Sequence, residues 1–72
     1  MQVNIKGKFV DKYGKGELPN LCNFVHTDEQ AISWGESCIN YFERKHNYVL
    51  IELIVYQYKP NDGSERTIKR II

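Results

Sequence analysis

Cys22, His26, Cys38 and His46 are the side chains of this chain best suited to hold a metal or to do covalent chemistry. Two thiols and two imidazoles match the nitrogen and sulfur preference of zinc. Their spacing does not match, because structural zinc sites place ligands two to four residues apart on each arm. Cys38 and His46 are eight residues apart, which on one helix separates their side chains by about 12 Å. A nucleophilic Cys38 with His26 as its base is the other chemistry these residues offer. Cys38, however, falls at the centre of an apolar helix stripe, where burial raises a thiol's pKa and disfavours the thiolate. Core cysteines and a surface histidine are the simpler reading.

The remaining candidates are weaker still. Gly14-Lys15-Gly16 suggests a phosphate contact, but the segment joins two strands and opens no helix, so the anion-binding mechanism of a P-loop is missing. Asp28, Glu29, Glu36 and Glu43 fall at a helix start or on its solvated face, and nothing pairs them across a cleft. No catalytic residue, metal or cofactor is therefore expected. No small-molecule substrate is expected either, since 72 residues leave little room for a concave pocket of about 300 Å³ or more.

The elements that carry these residues follow from periodicity. Val3, Ile5, Gly7 and Phe9 alternate with Asn4, Lys6 and Lys8, the period-two pattern of a half-buried strand. Asp11 to Glu17 supplies a polar turn or short loop. Pro19 then stands at the entrance to a second strand, Leu21 to His26, where its missing N–H is tolerable. Thr27-Asp-Glu-Gln30 reads as a helix start: Thr27 accepts from the Gln30 N–H, the Gln30 side chain reaches back, and Asp28 and Glu29 suit the positive end of the dipole. Ala31, Gly35, Cys38 and Phe42 recur at four-three-four spacing, with Ile32 and Ile39 on one flank and Trp34 and Tyr41 on the other. This is an amphipathic helix of four to five turns, closed by Asn47 as C-cap. Gly35 in its interior costs about 1 kcal/mol relative to Ala, so a close approach of helix to sheet is the expected compensation. A third strand, Tyr48 to Tyr58, precedes the turn Pro60-Asn-Asp-Gly63, in which glycine takes the positive-φ position. Arg66 to Ile72 is the fourth strand.

The predicted architecture is thus a single α+β domain, residues 1–72, with one helix packed on a four-stranded antiparallel sheet in the order β-β-α-β-β. Strand order 2-1-3-4 keeps every neighbour antiparallel and places the most apolar strand inside; order 1-2-3-4 is the alternative. A domain this small draws only about 3–5 kcal/mol from its core, so self-association would supplement it.

The third strand poses the functional question. Its alternate residues Val49, Ile51, Leu53 and Val55 suit the core. The opposite set, Tyr48, Leu50, Glu52, Ile54, Tyr56 and Tyr58, then faces away from the helix, yet it is mostly apolar or aromatic. A sheet with two sticky faces implies a cover for the second one. Tyr48, Leu50, Ile54, Tyr56 and Tyr58 are the predicted binding anchors, with Phe9, Tyr13 and the first hairpin loop at the rim. A protein partner or a second copy fits this composition best. Nucleic acid is the alternative, with bases stacked on the tyrosines and Lys6, Lys8, Lys59 and Arg70 meeting phosphates. Glu52 in the middle of the face opposes that alternative.

Composition agrees with a binding domain and adds no address of its own. The net charge of +1 carries no polyanion signal. Two cysteines make no disulfide framework. No signal-peptide pattern stands at the start, and the longest apolar run, Val49 to Tyr56, is too short to span a bilayer; a cytoplasmic protein without membrane attachment is expected. Lys69 and Arg70, with Arg66, suit an edge strand that blocks further pairing. In being short, rich in Tyr, Asn, Ile and Lys, and without catalytic apparatus, the chain resembles small accessory proteins of bacteriophages and prophages.

Overall fold

A computed structural model describes the whole chain, Met1–Ile72. The elements run β1 (Gln2–Asp11), β2 (Gly14–Glu17), β3 (Cys22–Phe24), α1 (Asp28–His46), β4 (Val49–Lys59) and β5 (Ser64–Arg70). The class is α+β, one helix against one antiparallel sheet, and the sheet order is β2-β1-β4-β5 with β3 also pairing β1. The sheet therefore has five strands where four are expected. Both β2 and β3 lie along the same edge of β1: Lys8 to Asp11 pair with β2, and Gln2 to Asn4 pair with β3. The expected second strand, Leu21 to His26, is present as the shorter β3, and β2 is an additional strand, separated from it by Leu18-Pro19-Asn20-Leu21. Proline cannot donate to a ladder, and the break falls where it stands. The glycines placed in a loop, Gly14 and Gly16, instead belong to a strand that turns tightly back at Lys12-Tyr13.

The helix forms as its sequence signals require. Thr27 Oγ1 accepts from Gln30 N at 3.1 Å. Gln30 Oε1 reaches back one residue beyond the cap and accepts from His26 N at 2.8 Å. Asn47 adopts the left-handed conformation at φ 56° and closes the far end. The buried stripe is Ala31, Gly35, Cys38 and Phe42. It packs on Val3, Ile5, Leu50, Leu53 and Val55 of the sheet, with Leu18 and Val25 closing the margins.

Gly35 marks the closest approach. A Cβ there would overlap Val55 Cγ2 and stand 2.7 Å from Ile71 Cδ1, so the helix rests on β4 and the chain after β5 through a glycine backbone. The helix start is tied to the sheet's edge by Arg66, whose guanidinium donates to Asp28 Oδ2 at 3.1 Å and Oδ1 at 3.0 Å.

Two outcomes follow from these contacts. Gly35→Ala gains about 1 kcal/mol of helix propensity but loses about 1–3 kcal/mol to overpacking, so its denaturation midpoint should fall; a rise would show that the helix rides farther from the sheet. The hydrogen bonds from Arg66 hold the Asp28 carboxyl below its ordinary value of 3.8. Because the folded value is the depressed one, the pair stabilises the fold at neutral pH and ceases to do so as pH falls below about 4. Asp28→Asn should therefore melt below wild type at pH 7, and the difference should shrink on acidification; a constant difference would contradict this linkage.

Candidate sheet-face interface

The helix covers one face of the sheet, and no element of the chain crosses the other. Which side chains of β1 and β4 reach that open face is decided by one irregularity in their ladder. Lys8 of β1 pairs with Glu52, but the next residue, Phe9, pairs with Leu50. Ile51 is an extra residue in β4, and such a bulge reverses the alternation beyond it. Leu50 consequently joins Leu53 and Val55 in the core. Tyr48 also turns to the helix side, stacked on Phe9 at 3.6 Å between ring centroids and next to Phe42 and His46. Val49 and Ile51, expected inside, are 64% and 44% exposed.

Two of the five expected anchors, Tyr48 and Leu50, are therefore removed from the open face, together with the rim residue Phe9. Three remain there: Ile54 and Tyr56, half-buried, and Tyr58, 48% exposed. Tyr13 lies far out on the hairpin tip, 86% exposed. The open face also holds a residue that periodicity did not single out. Phe24 of β3 pairs with Gln2, two residues from Asn4, which pairs with Tyr56, so it lies on the same side as the tyrosines; it is 74% exposed. An aromatic at an alternate position of a short strand was the available signal. Cys22 pairs with Asn4 on this face and is exposed, contrary to the expected core position, while Cys38 is buried in the core. Burial raises the Cys38 pKa, which opposes thiolate chemistry.

The charges on this face include one ion pair, and Arg70 joins them opposite Ile54. Lys6 Nζ donates to Glu65 Oε2 at 2.8 Å and sits 4.9 Å from the centroid of the Tyr56 ring. The hydrogen bond to Glu65 raises the Lys6 pKa. Lys8 stands directly across from Glu52. Lysine stems over tyrosine and isoleucine reduce the apolar surface that meets water, so the face is amphipathic rather than greasy.

Between β3, β1, β4 and β5 lies a shallow hollow of about 380 Å³, lined by Gln2, Asn4, Asn20, Tyr56, Tyr58 and Glu65. Asn4 is 8% exposed. Its Nδ2 donates to Asn20 Oδ1 at 3.3 Å, and its Oδ1 is buried without a donor. A buried acceptor without a partner costs about 1–3 kcal/mol.

No group of three or more His, Cys, Asp or Glu side chains comes together anywhere in the fold. No helix is long and apolar enough to cross a membrane. Comparison with protein families, with curated proteins and with solved structures finds no match to this chain.

The reversal at Ile51 separates residues that look alike in the sequence. Leu50→Ala should destabilise the fold by about 2–5 kcal/mol, the cost of truncating a buried leucine. Tyr58→Ala should stay within about 0.5 kcal/mol of wild type. Equal losses in denaturant titrations would place both residues on one face and refute the bulge.

Proposed function

We propose that this chain is a small non-catalytic binding module that docks on a protein through its open sheet face. Ile54, Tyr56, Tyr58 and Phe24 are its anchors. The observation that carries the reading is their shared position: they lie on one face that the helix does not cover, bordered by the ion pair Lys6–Glu65 and by Lys8 and Glu52, which stand opposite each other in the ladder. Apolar and aromatic side chains at the centre of a patch with a polar rim is the composition of a protein interface. The partner is a larger protein or a second copy of the chain.

A nucleic-acid reading of the same face has less support. Lys6, its best-placed cation, is engaged by Glu65, and Glu52 adds a second carboxylate opposite Lys8. Phosphate binding needs free cations whose counterions are released on contact.

The test compares tagged wild type with an Ile54→Ser/Tyr56→Ser double variant in affinity capture from nuclease-treated lysate, with sedimentation for self-association. The variant should remain folded, because neither residue belongs to the buried core, and should lose the captured protein or the dimer. Equal capture by both forms would contradict the reading. Capture that depends on nucleic acid would transfer the face to the second reading.

A further inference from the structure

We propose that the open sheet face docks on a second copy of this chain, the two sheets stacking face to face about a twofold axis that crosses the strands at Tyr56. The inference rests on the docking face argued above and names its occupant.

The rows of the ladder carry it. Tyr56 lies in a row with Asn4 and Cys22 on one side and Thr67 on the other. Two residues along β4 in one direction, Ile54 stands between Lys6 and Arg70. Two residues in the other direction, Tyr58 stands beside Glu65. Ile68 is an extra residue in β5, so Arg70 rather than Lys69 comes level with Ile54. The edge strand therefore presents a cation and a carboxylate at equal distances on either side of an uncharged row.

In a twofold interface each surface meets its own reverse. Reversal about the Tyr56 row lays β5 antiparallel over β5 of the second copy. Arg70 then meets the second copy's Glu65, and Glu65 meets its Arg70. Ile54 meets Tyr58 twice, Tyr56 meets itself, and Lys6 falls opposite the uncharged Gln2. Both charged groups are available for this contact. Arg70 is exposed and makes no ion pair within its own chain. Glu65 gives one carboxylate oxygen to Lys6 and keeps further lone pairs. The other face-to-face arrangement, with the axis along β4, keeps every row in place and lays Lys6 over the second copy's Arg70. Like charges directly opposed across an interface disfavour it.

Charge balance and size agree with a second copy. Lys6, Lys8 and Arg70 share the face with Glu17, Glu52 and Glu65, so a partner of either sign, nucleic acid included, would meet as many like charges as opposite ones. Strands of ten and eleven residues in four columns span on the order of 600 Å² in projection at the usual strand spacings. Two copies then bury on the order of 1,200 Å², the lower limit of stable specific interfaces. Stacked sheets lie about 10 Å apart, a gap that an arginine and a glutamate bridge end to end.

The experiment is sedimentation equilibrium of the purified chain over a concentration series, on wild type, Arg70→Glu, Glu65→Arg and the equimolar mixture of the two variants. Wild type should show a monomer–dimer equilibrium. Each variant alone opposes like charges at both symmetry-related contacts and should weaken the dimer on the order of tenfold. The mixture should regain wild-type strength, because the introduced carboxylate of one variant faces the introduced guanidinium of the other while the second contact keeps its native pair. Both positions are exposed, so the variants should keep the wild-type circular dichroism. Cys22 gives a readout without substitution: it lies on the axial row, so a short bismaleimide should join two wild-type chains there and leave the buried Cys38 unmodified. A wild type that stays monomeric, variants that dimerise as wild type does, a mixture no stronger than its components, or dimers that the reagent does not join would each overturn the proposal. Lysate capture separates the two levels. A monomeric wild type that captures a protein, lost with Ile54→Ser/Tyr56→Ser, removes the second copy and keeps the docking face. A monomeric wild type whose capture is indifferent to that double variant removes both.

Discussion

The long antiparallel ladder between β1 and β4, with one extra residue at Ile51, is the constraint on which the rest of the molecule depends. It joins the two hairpin halves of the chain across the helix. Because side chains alternate along a strand, one inserted residue decides on which side everything beyond it emerges. On the far side of Ile51, Leu50 and Tyr48 enter the helix layer and complete the aromatic group of Phe9, Phe42 and His46. On the near side, Ile54, Tyr56 and Tyr58 stay on the open face. Core and open face are two products of the same register.

The helix reinforces this division. Its stripe of small residues allows the axis to lie close over Val55 and Ile71 at Gly35, and Arg66 ties its start to β5 through Asp28. The core is complete with one helix. What remains on the other side is partly shielded by the chain itself, with Lys6 spanning from Tyr56 to Glu65. Such a face stays compatible with water and still offers aromatic anchors to a partner, as interfaces that form after folding require.

Much of the fold is legible in the residues, and the part that is not has a physical cause. The helix announces itself through Thr27, the four-three-four stripe and Asn47, because caps and periodicity are local. The α+β class and the antiparallel neighbours follow from short connections. The open face is harder to read. Val49 to Tyr56 is apolar at both parities apart from Glu52, so alternation contains no mark of where an extra residue enters. Strict alternation therefore puts Tyr48 and Leu50 on the wrong side, and Val49 and Ile51 with them. Phe24 carries no periodic signal because β3 is only three residues long. Pro19 marks the entrance to β3, but the pairing of Gly14 to Glu17 with β1 depends on tertiary contact rather than on composition.

The face carries its own reporter. Cys22 is exposed and paired with Asn4 beside the hollow, whereas Cys38 is buried under the helix. The most direct test of a covered face is the alkylation rate of Cys22 in nuclease-treated native lysate, compared with the dilute purified chain, with Cys38 as the control for folding. Slowed alkylation of Cys22 in the lysate, with Cys38 unreactive in both, is the result expected of a face docked on a protein. Equal Cys22 rates in the two settings would contradict it.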